Sequence, residues 1–130
     1  MAETFGRFIT QKRLERDMTL RGFAGKLGIS PVYMCNIEKD RRPAPTVEIL
    51  DRMAGLLLLR GEEKSKMLDL AAKSHNTPAV AVDLPEYINE RDIVRVALRT
   101  AKDADATDDE WLEFIERLQK RIKPVESAER

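Results

Sequence analysis

Between Thr19 and Arg42 the chain gathers side chains suited to one kind of recognition, that of a polyanion with a hydrogen-bonding edge. The carboxamide of Asn36 donates and accepts at once, the pattern that pairs with an adenine edge in a DNA major groove. Pro31 and Val32 offer apolar contact to a thymine methyl. Tyr33 and Ser30 offer hydroxyls to a base or to the backbone. Ser30, Pro31, Val32, Tyr33 and Asn36 are therefore the candidate base-contacting residues. Thr19, Arg21, Lys39, Arg41 and Arg42 flank them and suit phosphate contacts, which set register without reading sequence.

Two short helices are needed to hold these groups. Thr19 can cap the first, over about 20–27, and Ser30 the second, over about 31–38, because their hydroxyl oxygens can accept from free first-turn N–H groups. Pro31 falls at the first helical position, where its missing N–H costs nothing. Gly28 supplies the positive φ that a tight bend requires. Phe23, Ala24 and Leu27 line one face of the first helix, Met34 and Ile37 one face of the second, and Ile29 fills the corner. The pattern is a helix-turn-helix whose second helix can enter a major groove. Gly22 and Gly25 inside the first helix cost roughly 1 kcal/mol each against Ala and permit close packing or close approach to a phosphate.

Other chemistries lack their residues. There is no Gly-rich phosphate loop, no nucleophile motif and no Ser–His or Cys–His constellation, so no enzymatic activity and no cofactor are expected. One cysteine and one histidine give no metal-ligand spacing, so no metal site is expected. Cys35 reads as an ordinary small packing residue and not a redox sensor, and His75 as a solvated helix end. The acidic run from Asp103 to Glu113 lacks the spacing and glycine of a calcium loop and suits a helix start.

The chain of 130 residues suits one domain plus an appendage. With 35% charged and 5% aromatic residues it reads as soluble and helix-rich. No apolar run reaches the roughly 20 residues that span a bilayer, and the N-terminus lacks a signal peptide's apolar core. The single cysteine fits a reducing compartment, so a cytoplasmic location is expected. Formal net charge is zero, yet residues 1–60 carry 11 Lys/Arg against 7 Asp/Glu, a balance of +4, and residues 61–130 carry −4. Distant acidic groups do not cancel a local basic surface at screening lengths of about 8 Å.

In chain order, residues 3–16 form a first helix with Phe5, Ile9 and Arg13 on one face. Arg13 can reach inward to Glu38, or both can remain solvated. Beyond the basic loop Lys39–Pro45, Thr46 caps a fourth helix with Val47, Leu50, Met53, Ala54 and Leu57 inward. A fifth follows Gly61, with Met67, Leu68 and Ala71 inward. The reading is all-α: a five-helix DNA-binding domain over 1–75, a linker over 76–85, a helical hairpin over 86–123 and a frayed tail over 124–130. Within the linker, Ala79–Val82 suits a short extended piece packing on a helix. Thr107 and Glu110 form a capping box for the last helix, whose stripe is Trp111, Phe114, Ile115, Leu118 and Ile122. Two helices cannot bury such stripes alone, so Val94, Leu98, Trp111, Ile115, Leu118 and Ile122 are expected at a dimer or partner interface.

The run from Phe5 to about Leu57 resembles the Xre/phage-repressor family. The likeness lies in Ile9, Arg13, Met18-Thr19, Phe23-Ala24, Leu27-Gly28-Ile29-Ser30, Tyr33, Ile37, Glu38, Pro45-Thr46, Leu50 and Ala54. The resemblance implies a five-helix lambda-repressor-like domain, an Arg13–Glu38 ion pair and dimeric binding of double-stranded DNA at a pseudo-palindromic operator. Leu20, Asp40 and Lys12 depart from that pattern. Leu20 forgoes a phosphate hydrogen bond at the start of the second helix, and Asp40 stands where glycine is common. The segments Leu84–Ile88, Ala97–Arg99 and Asp109–Ile115 resemble regulators paired with ImmA/IrrE-type metallopeptidases, which implies a dimerising, cleavable C-terminal segment. The expectation is a dimeric repressor. The alternative is an antitoxin or adaptor whose C-terminal helices hold a toxin or metallopeptidase.

Overall fold

The computed structural model describes residues 3–77 and 79–122; the expected frayed tail lies outside them. Every element among the described residues is a helix: α1 (Phe5–Glu15), α2 (Leu20–Leu27), α3 (Pro31–Glu38), α4 (Val47–Leu57), α5 (Glu62–Lys73), α6 (Leu84–Glu90), α7 (Asp92–Asp103) and α8 (Asp108–Ile122). They fall into two units divided between Tyr87 and Ile88.

In the first unit α1 packs on α3 and α5, and α2 packs on α3 and α4. The core is built from Phe8 and Ile9 of α1, Phe23 and Leu27 of α2, Met34 and Ile37 of α3, Leu50 and Met53 of α4, and Met67 of α5. Short helices survive here because their ends are satisfied. Thr4, Thr19 and Ser30 sit in extended conformation before α1, α2 and α3, and each side chain accepts from the N–H three residues on. Gly28 closes α2 at φ 76°. Thr46 stands at the N-cap of α4 but makes no side-chain cap bond. The α3–α4 loop is instead tied down through Ala44, whose N–H donates to Ser74 Oγ at the end of α5 (2.8 Å). Past α5 the chain does not leave the core at once. Ala81 is buried within it, so the stretch expected as linker contributes an apolar anchor.

The first arm of the expected hairpin is not one helix but two, and the division between the units falls inside the first of them, α6. Arg91 is extended, at φ −131° and ψ 107°, and separates α6 from α7. The capping box before α8 is reciprocal: Thr107 N–H donates to Glu110 Oε1 (3.0 Å), and Glu110 N–H to Thr107 Oγ1 (3.2 Å). Trp111 meets Phe114 edge to face at 6.0 Å. No residue of α7 or α8 is buried.

Candidate nucleic-acid interface

The helix-turn-helix is α2, the turn Gly28–Ser30 and α3. Met34 and Ile37 turn α3's inner side into the core, which leaves Val32, Cys35, Asn36 and Lys39 on its outer side. Val32 is 72% exposed, Asn36 and Tyr33 are half-buried, and Pro31 is half-buried at the helix start. Ser30 is exposed, and its Oγ accepts from Tyr33 N–H (3.1 Å). Its own O–H remains able to donate outward. Thr19 is placed likewise at the start of α2, accepting from Gly22 N–H (2.9 Å).

Three connections hold the helix-turn-helix from behind. Arg13 spans from α1 to Glu38 with a two-pronged bond, Nε to Oε2 at 2.7 Å and Nη2 to Oε1 at 3.0 Å, and its Nη1 donates to the Met18 carbonyl (2.8 Å). The two side chains are 10% and 6% exposed. Donation to the Glu38 carboxylate holds the Arg13 guanidinium above its ordinary pKa, against the opposing effect of burial. Arg52 Nη1 donates to the Leu27 carbonyl at the end of α2 (3.1 Å). Asp40, at φ 60°, folds back on α1: its Oδ1 accepts from Gly6 N–H (3.0 Å) and its Oδ2 from the Thr4 hydroxyl (2.6 Å).

The basic loop is thereby held in place. Arg41 and Arg42 N–H both donate to the Asn36 carbonyl (2.9 and 3.2 Å), and the Arg42 guanidinium lies 5.5 Å from the Tyr33 ring centroid. Lys39, Arg41, Arg42 and Arg21 are exposed. Lys12, by contrast, serves the fold. It pairs with Glu63 of α5, and that hydrogen bond raises its pKa. Arg52, Lys12, Thr4 and Asp40 all had structural tasks that sequence reasoning missed. Thr4 alone carried a local signal, a threonine three residues before the N–H it caps.

Among the described residues no three His, Cys, Asp or Glu side chains cluster to hold a metal. No described helix is long and apolar enough to cross a membrane. The site carries exposed cations, two hydroxyls at helix starts and one carboxamide on a braced helix.

Fold and site together define an all-helical chain with a helix-turn-helix at its basic end. No family model and no curated protein matches the chain. Among solved structures, one described as "SinR protein/SinI protein complex" is similar at 19% identity, over 92% of this chain and 99% of that one, with a TM-score of 0.47. Likeness at that level transfers no residue roles, and the functional argument rests on this chain's own side chains.

Proposed function

We propose that the chain is a sequence-specific, DNA-binding transcriptional regulator of the Xre type, a repressor that inserts α3 into the major groove of its operator. The observation that carries this reading is the outer side of α3, braced by Arg13–Glu38 and bordered by the exposed Arg21, Lys39, Arg41 and Arg42. Ser30, Pro31, Val32, Tyr33 and Asn36 meet base edges, and Thr19 joins the four cations on phosphate. Selection from a random duplex library, followed by footprinting with competitor DNA, tests it; binding should fall steeply with salt. Asn36→Ala is expected to weaken operator binding by about 1–3 kcal/mol and to relax one base preference. Equal losses on operator and random DNA would contradict that role.

The same reading makes the second unit a dimerisation device. Trp111 and Ile115 are 37% and 45% exposed, Leu98 and Ile122 are exposed, and Val94 and Leu118 are half-buried. Along α8 the charges are segregated: Asp108, Asp109, Glu110, Glu113 and Glu116 precede Arg117, Lys120 and Arg121. A second α8 laid antiparallel sets acid against base at both ends of a two-fold contact. Two copies then offer two recognition helices to a pseudo-palindromic operator. Ile115→Asp combined with Leu118→Asp should halve the mass seen by light scattering. A wild-type protein that is already monomeric would favour the adaptor reading, in which these helices hold a toxin or metallopeptidase.

A further inference from the structure

The outer side of α3 carries apolar as well as polar groups. Val32 and Cys35 lie three residues apart on it, one helical turn, with Asn36 and Lys39 completing the face. Cys35 lines an open groove of about 720 Å³ with Leu14 of α1 and Leu20 of α2, and Leu14 is 59% exposed. Two carboxylates also border this groove, and both have partners. Glu38 is bonded to Arg13, while Glu15 accepts from Gln11 (3.1 Å) and faces Lys12 at 3.6 Å. Arg7 and Lys39 stand at the groove's edge. An apolar centre fits a partner whose accessible edge carries methyl groups. Thymine presents such a group, its C5-methyl, in the major groove.

We propose that the protein reads thymine methyl groups through Val32 and Cys35, so that its operator half-site carries neighbouring thymines. This rests on the DNA-binding reading above and adds Cys35 to the base-contacting set. Three residues rise about 4.5 Å along a helix, against about 3.4 Å per base step, so the two side chains meet adjacent base pairs. Leu20 and Leu14 back the thiol side of the contact and keep it dry.

The test uses the full chain, under reducing conditions, on the duplex enriched by selection, with each thymine replaced in turn by uracil. That change removes one methyl and leaves base pairing intact. Affinity should fall about fourfold at each of two neighbouring positions, the worth of one buried methyl group. Val32→Ala should erase the thymine–uracil difference at one position and Cys35→Ser at the other, with thermal midpoints unchanged because neither side chain is in the core. Uracil tolerated at every position, or a discrimination that persists in both variants, overturns the proposal while leaving DNA binding intact. If selection enriches no sequence, the DNA-binding reading falls and this proposal falls with it.

Discussion

Arg13→Met is expected to destabilise the first unit by about 3–5 kcal/mol, the range for breaking a buried ion pair by removing one partner. The geometry puts the change at the upper end. Glu38 would keep its charge with its side chain 6% exposed and lose both donors, and the Met18 carbonyl would lose a third. Domains of this kind hold only about 5–15 kcal/mol in total, so the thermal midpoint should drop by well over 10 °C, at roughly 4–8 °C per kcal/mol. The pair's net worth is a separate quantity. Desolvating two charges offsets much of their attraction, so Arg13→Met with Glu38→Leu should recover most of the lost stability. Denaturant unfolding of the wild type, the single variants and the double variant measures both. A double variant as unstable as the worse single one would mean the pair stabilises far more than it costs to bury.

Gly6→Ala should come next in size, with a sign opposite to helix propensity. Alanine in a helix interior is worth roughly 0.5–1 kcal/mol over glycine. Here a Cβ would stand 2.4 Å from the Glu38 carbonyl oxygen, 2.6 Å from that of Ile37 and 2.7 Å from Asp40 Oδ1. Two of the three are backbone atoms at the end of α3, which can retreat only if the helix moves. Overpacking of this severity costs about 3 kcal/mol or more, which outweighs the propensity term. Gly55→Ala is the internal control: nothing lies within 4 Å of its Cβ position in α4, so it should stabilise by about 0.5–1 kcal/mol. Equal stabilisation by both substitutions would remove the close α1–α3 approach from the account.

What the chain disclosed in advance follows from contact distance along the sequence. Thr19 and Ser30 reach N–H groups three residues away, Gly28 bends locally, and Thr107 with Glu110 is a four-residue motif. The apolar stripes of α2, α4 and α5 were legible because helical periodicity is equally local, except that Val47, expected inward, stands exposed in the first turn of α4. Of the bracing of the site, the Arg13–Glu38 pair was anticipated, through the family resemblance, and the rest was not. Asp40 caps Gly6 across 34 residues, Arg52 reaches Leu27 across 25, and Lys12 meets Glu63 across 51. No spacing rule announces such pairs. The α6–α7 break was invisible for another reason, since no glycine or proline stands between Ile88 and Asp92. The groove beside Cys35 was invisible too, because its neighbours there, Leu14 and Leu20, lie on other helices.

The Asp40 contact has an electrostatic consequence. A helix N-terminus carries roughly half a positive charge and is a ready anion site. At α1 that site is occupied by the protein's own carboxylate, acting as an internal ligand. The same contact turns the one anion in the stretch Lys39–Arg42 back toward α1, whose positive end offsets part of its charge. The loop keeps Lys39, Arg41 and Arg42 exposed, and the negative residue that looked out of place in it serves the helix behind.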